Sequence, residues 1–188
     1  MMVLKEPSTV YNPKQEGLKT EMQCQTYFIE RDMGVSVPLG DNLRYDIIVD
    51  YKGMLFRVQV KKASMNLVDS NIISFSCRSC TLNTKGCKNS KYNADEIDCF
   101  ATFWDGQCYI IPVQEASATK NLHLGSPKNH QKKGINIASD YIAEKQLEKM
   151  YLKRVAKQAA LAFCIKENIF KNNFPRMKTS YMKMLHTL

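Results

Sequence analysis

The chain has 188 residues, 44% of them hydrophobic, and a net charge of +9. That is enough apolar material for one packed domain with an appendage, and it excludes global disorder. No apolar run reaches the ~18 residues a membrane-spanning helix needs, and Met1-Met2-Val3-Leu4-Lys5-Glu6-Pro7 carries no apolar signal core, so an intracellular protein is expected.

The charge is unevenly placed. Residues 145–188 hold ten of the 27 basic residues and only two of the 18 acidic ones, a net of +8. A concentrated basic segment is an electrostatic footprint for nucleic acid or another polyanion; the plain alternative is a solvated helix face. The seven cysteines are Cys24, Cys77, Cys80, Cys87, Cys99, Cys108 and Cys164. An odd number in a chain without a secretory signal argues for reduced thiols rather than a disulfide framework.

In chain order, residues 1–16 read as a polar lead, with Pro7 and Pro13 as breakers. A helix is expected over residues 17–33. Its apolar face would carry Leu18, Met22, Cys24, Thr26, Tyr27 and Ile29, its polar face Glu21, and Gly34 would end it. A short extended piece at 35–38 and a turn at 39–42 lead into two strands, at 44–51 and 54–63. In the second of these, Phe56, Val58 and Val60 alternate with Arg57, Gln59 and Lys61, so the two sets point to opposite faces. A further strand is expected at 72–77, and residues 79–95 read as a basic loop.

Strands return at 98–104 and 107–112, joined at Asp105-Gly106, a strong hairpin signal. Next come a short strand at 122–124 and a basic loop at 126–134. Ser139 reads as the N-cap of a helix running toward Asn168, with Ala143, Leu147, Tyr151, Val155, Ala159, Ala162 and Ile165 near helical spacing. Asn172-Asn173-Phe174-Pro175 breaks it. A helix, a central β meander and a second helix give an α/β or α+β fold.

The chemistry concentrates in the strand pair. Asp46 on one strand stands against Gln59 and Lys61 on the next. Phosphodiester hydrolysis needs a positioned water and charge stabilisation at phosphorus. Mg²⁺ serves both when oxygen ligands hold it. Asp46, the Gln59 side-chain oxygen and the Val60 carbonyl are candidate ligands. Glu21 joins them if its helix packs beside the sheet. Lys61 would orient the water or stabilise the phosphorane by charge.

The stretch Pro38-Leu39-Gly40-Asp41-Asn42-Leu43-Arg44-Tyr45-Asp46, followed after a hairpin by Val58-Gln59-Val60-Lys61, resembles the PD-(D/E)xK nuclease superfamily. More closely, it resembles that superfamily's group I intron-encoded homing endonucleases. Asp95-Glu96-Ile97-Asp98-Cys99-Phe100-Ala101 and Tyr109-Ile110-Ile111-Pro112-Val113 also fit. The resemblance covers residues 17–143. It implies a restriction-endonuclease-like core, a central mixed β-sheet flanked by helices, with a basic helical extension at 144–188. It also implies Mg²⁺-dependent cleavage of double-stranded DNA by a homo-oligomer, a dimer or tetramer. In catalytic terms it implies a helix acid at Glu21, the metal aspartate at Asp46, the third acidic position at Gln59 and the catalytic lysine at Lys61. Tyr45 stands in place of Pro, and Gln59 in place of a carboxylate, which removes one negative charge; the intron-encoded relatives also use Gln there.

Arg44, Lys62, Arg78, Lys85, Lys88, Lys132 and Lys133 are the candidate DNA contacts. Cys77-Arg78-Ser79-Cys80 with Cys87 and Cys99 could hold zinc. However, Cys77 and Cys99 fall in expected strands and no second C-x₂-C exists, so small buried thiols are the simpler reading. His123, His130 and His186 lack metal spacing, and no phosphate-binding G-x-x-x-x-G-K-[ST] loop is present. Two other functions fit the same residues: a non-catalytic nucleic-acid-binding or assembly protein with a nuclease-like fold, and a junction or repair nuclease of the superfamily.

Overall fold

The computed structural model describes residues 12–40, 42–83, 86–125 and 134–173. The chain divides into two units, Met1–Leu147 and Glu148–Leu188.

Helix α1 spans Pro13–Ile29, starting four residues earlier than the composition suggested. Pro13 is a helix starter rather than a breaker, because the first helical position needs no N–H donor. Asn12 caps it, its Oδ1 accepting from Lys14 N at 3.1 Å and Gln15 N at 3.3 Å. The buried stripe is Thr20, Cys24, Tyr27 and Phe28, at i, i+4, i+7 and i+8. The expected apolar face is thus corrected: Leu18, Met22 and Ile29 are exposed. Asp32, with φ of 57°, reverses the chain after the helix, and Gly34 opens a strand rather than closing α1.

The main sheet contains β1 (Gly34–Ser36), β2 (Ile47–Tyr51), β3 (Met54–Val60), β8 (Cys99–Trp104) and β9 (Gln107–Pro112). Its order is β1-β2-β3-β8-β9, with β3 and β8 parallel and the other pairs antiparallel. Two-residue turns of matching handedness join β2 to β3 and β8 to β9. Lys52 (54°) and Gly53 (77°), then Asp105 (48°) and Gly106 (76°), all take positive φ. The expected Asp-Gly hairpin is therefore present. Helix α1 packs on β1, β3, β8 and β9, where the Cys24 and Cys108 thiols lie 3.9 Å apart.

A second, three-stranded sheet joins β10 (Thr119–His123), β5 (Ile72–Ser76) and β4 (Ser64–Met65). Its residues Ile73, Phe75 and Leu122 share a core with Phe100, Tyr109 and Ile111 of the main sheet. The region read as a basic loop is instead a hairpin, β6 (Arg78–Asn83) and β7 (Gly86–Lys91). Its alternation is polar on both faces, so it lacked a hydrophobic period. Cys80 in β6 is disulfide-bonded, which corrects the expectation of thiols throughout. The reduced reading rested on the odd cysteine count and the lack of a secretory signal, whereas a paired ribbon can bring side chains within disulfide reach. Cys24, Cys77, Cys99 and Cys108 are buried free thiols.

Ser139 does not cap the second helix. It lies in a 3-10 turn, Ala138–Asp140, and α2 runs Ala143–Asn173. The N-terminal turn of α2 is tied to α1: Tyr27 Oη donates to Glu144 at 2.9 Å, and Arg31 pairs with the same carboxylate while stacking over the Tyr27 ring. The basic stretch 126–133 and the tail beyond 173 lie outside the described residues.

Candidate active site

The site forms where β3 leaves the main sheet. Asp46 precedes β2, and its backbone N donates to Val58 O at 3.0 Å, which fixes it against β3. Its Oδ2 accepts from Val60 N at 2.7 Å and from the Gln59 amide. The same Gln59 Nε2 donates to the Val60 carbonyl at 3.3 Å. Gln59 is only 7% exposed, so its amide has little access to water. Lys61 N then donates to Ala101 O at 2.8 Å, anchoring the β3 exit on β8.

Glu21 on α1 completes the cluster. Burial raises its carboxyl pKa above 4.5, the Asp46 charge raises it further, and Lys61 opposes both. Asp46 is raised as well, first by burial, against the Val60 N–H, Lys61 and Gln59. Lys61 is lowered by burial and then by Arg44, against Asp46 and Glu21. The structure therefore brings Glu21, Asp46, Gln59, Val60 and Lys61 together, in a place where each charge is poorly solvated.

This donor set suits a hard divalent cation: two carboxylates, a backbone carbonyl and an amide. Burial disfavours both carboxylates, and the Asp46 charge adds to the effect on Glu21, with Lys61 opposing each. The Gln59 NH₂ bridges the two oxygens, Asp46 Oδ2 and Val60 O, that would face such an ion. Among the described residues no three of His, Cys, Asp and Glu converge, because the third acidic position is the neutral Gln59.

The candidate DNA contacts fare unequally. Arg44 is committed to the protein itself. It bonds Glu96 at 3.1 Å, Ser79 at 2.9 Å, Ser90 at 3.3 Å and Lys91 O at 3.2 Å, and stacks 4.0 Å over the Tyr92 ring. It joins the segment leading into β2 to the β6–β7 ribbon. Lys62 is exposed and pairs with Glu16 at 2.9 Å. Arg78 is exposed on β6. The side chain of Lys88, and Lys85, Lys132 and Lys133 entirely, lie outside what the structure describes.

Tyr92 is the neighbour that the sequence did not mark. Its ring packs edge-on to Phe100 at 5.2 Å, and Lys61 Nζ lies 5.4 Å from its centroid. A lone aromatic closing a polar stretch was the available signal.

A family profile described as PD-(D/E)XK endonuclease matches residues 11–144, most of the chain. The chain belongs to the PD-(D/E)XK endonuclease family. Nuclease relatives of this family act on DNA and generally use divalent metal ions. A solved structure, that of the bacterial homing endonuclease I-Ssp6803I, shares the fold with a TM-score of 0.62 and 23% identity, over 79% of this chain and 99% of that one. No curated protein sequence matches. The restriction-endonuclease-like fold expected from the motif is thus the one observed, a central mixed sheet with two helices. Among the described residues, no helix of this PD-(D/E)XK endonuclease is long and apolar enough to cross a membrane.

Proposed function

We propose that this protein is a Mg²⁺-dependent endonuclease cutting double-stranded DNA, with Glu21, Asp46, Gln59, Val60 and Lys61 as its working residues. One observation carries the reading: Asp46 Oδ2, the Val60 carbonyl and the Gln59 amide converge beside Lys61, with the Glu21 charge within electrostatic reach. Bound Mg²⁺ would supply Lewis-acid charge at the scissile phosphate and ease deprotonation of the attacking water.

Asp46, Glu21 and the Val60 carbonyl would hold that ion. Asp46 and Val60 at strand ends and Glu21 within α1 would keep the ligands ordered before DNA arrives, so little reorganisation would accompany reaction. Lys61 would place its ammonium against the charge that grows on the phosphoryl oxygens. Its partial burial strengthens that interaction relative to one in bulk water. Gln59 would orient Asp46 through its amide and offer its own oxygen to the ion.

Lys62, Arg78, Lys85, Lys88, Lys132 and Lys133 with the basic α2 segment would contact phosphates. Those contacts set affinity and salt dependence rather than sequence preference. Cutting both strands takes two sites, which calls for a homo-oligomer, dimer or tetramer, acting inside the cell. Kinship of fold with a homing endonuclease supports a site-specific cutter.

The test is cleavage of supercoiled plasmid with Mg²⁺ and with EDTA. The wild type should nick and linearise only with metal, and Asp46→Ala and Lys61→Ala should each lose about 100-fold or more. Unchanged cleavage by either variant removes the site assignment.

A second reading has one observation in its favour: Gln59 donates to Asp46 and adds no charge to the site. A non-catalytic nucleic-acid-binding protein would bind DNA in a salt-sensitive way and cut with no divalent ion. Comparing linear, branched and single-stranded substrates separates a homing-type enzyme from a junction or repair nuclease.

A further inference from the structure

Lys61 is partly withdrawn from water, yet among the described residues its Nζ has no hydrogen-bond or ion-pair partner. Its contact is the face of Tyr92, whose ring centroid lies 5.4 Å away, within the ~6 Å range of a cation–π interaction. Two further contacts hold the ring. Phe100 meets it edge-on at 5.2 Å and 89°. Arg44 stacks on it at 4.0 Å. Ser79 Oγ accepts from Arg44 Nη1 at 2.9 Å and so fixes that guanidinium over the ring.

The ring is also in register with the site. Phe100 is the β8 partner of Gln59, and Ala101 that of Val60. The same strand therefore sets the ring support and the metal-ligand backbone. A carboxylate holding Lys61 would occupy its N–H donors and cancel its charge. An aromatic face attracts the ammonium through its quadrupole and leaves the N–H groups directed elsewhere.

We propose that Tyr92 is a positioning residue for the active-site lysine, its ring face holding the Lys61 ammonium at the cleft while leaving the N–H donors for the scissile phosphate. This rests on the nuclease reading above. Arg44 serves it indirectly: with Ser79 it clamps the ring from the β6–β7 ribbon, so movement of that ribbon on DNA would reach Lys61 through Tyr92.

Two readouts test it in the full chain. In steady-state plasmid cleavage with Mg²⁺, Tyr92→Leu should lower kcat about 10- to 30-fold with KM for the plasmid little changed. Tyr92→Phe, which keeps the ring, should recover most of that loss. In a Lys61→Ala background, Tyr92→Leu should cost nothing further. The second readout needs no activity. In ¹³C-lysine-labelled protein, the Lys61 Hε resonance should be ring-current shifted, the shift persisting in Tyr92→Phe and vanishing in Tyr92→Leu. Full kcat in Tyr92→Leu, an equal loss in the Lys61→Ala background, or an unshifted Lys61 resonance overturns the proposal. An inactive wild type with the ring-current shift present overturns the nuclease reading instead and leaves Tyr92 as the lysine's support.

Discussion

Glu21 and Asp46 both hold their protons more tightly in the folded chain than in water, chiefly because burial disfavours the charged form. A carboxyl whose pKa rises on folding makes the folded state the better proton binder. Stability from Glu21 therefore increases as pH falls through the window between its raised folded value and 4.5, and is lowest above that window. Glu21→Gln should accordingly raise the melting temperature at neutral pH in EDTA, with the gain shrinking as pH approaches 4.5, while plasmid cleavage is lost. A lower melting temperature at neutral pH would contradict the origin assigned to the shift. Gln59→Glu runs the other way. It removes the amide donor from Asp46 and adds a like charge, so the metal-free protein should melt lower. Mg²⁺ should then raise its melting temperature more than it raises that of the wild type, by mass action on a tighter site. Equal Mg²⁺ stabilisation of the two proteins would show that Gln59 does not face the ion.

At the scale of elements, the site depends on the parallel pairing of β3 with β8. That pairing is secured by one carboxylate. Asp98 Oδ2 accepts from Arg57 N at 2.7 Å and from Arg57 Nε at 3.4 Å, and Asp98 N donates back to Arg57 O at 2.9 Å. Asp98→Ala leaves Arg57 under-satisfied next to the first register pair, Val58 with Cys99. It should cost about 2–3 kcal/mol in denaturant unfolding, since hydrogen bonds to charged groups carry that order of energy. Cleavage should fall as well, because Lys61 takes its backbone anchor two residues further along β8 than Cys99. The alternating strand face of Arg57, Gln59 and Lys61 was legible in the sequence because period two is a local signal. The β6–β7 ribbon was not. Its strands are polar on both sides and are tied to the main sheet by Arg44, whose bonding partners lie 35 to 52 positions away in sequence.

For the molecule as a whole, the excess charge is a property of residues 145–188, and so of α2 and the chain beyond it. If that segment contacts phosphates, Lys153→Ala combined with Lys157→Ala should reduce the slope of log K against log salt by about 2 and weaken all DNA sequences alike. An unchanged slope would return those lysines to a solvated face. The nuclease motif, the β2–β3 and β8–β9 hairpins and the charge asymmetry could all be read along the chain, because spacing, turn chemistry and composition are local. The sequence named Asp46, Gln59 and Lys61 from two neighbouring strands. It took the folded chain to show that α1 brings Glu21 to them, that Arg44 is spent on the protein's own ribbon, and that an aromatic ring faces Lys61. Those outcomes depend on which distant segments share the buried end of β3, and pattern along a chain carries no record of that.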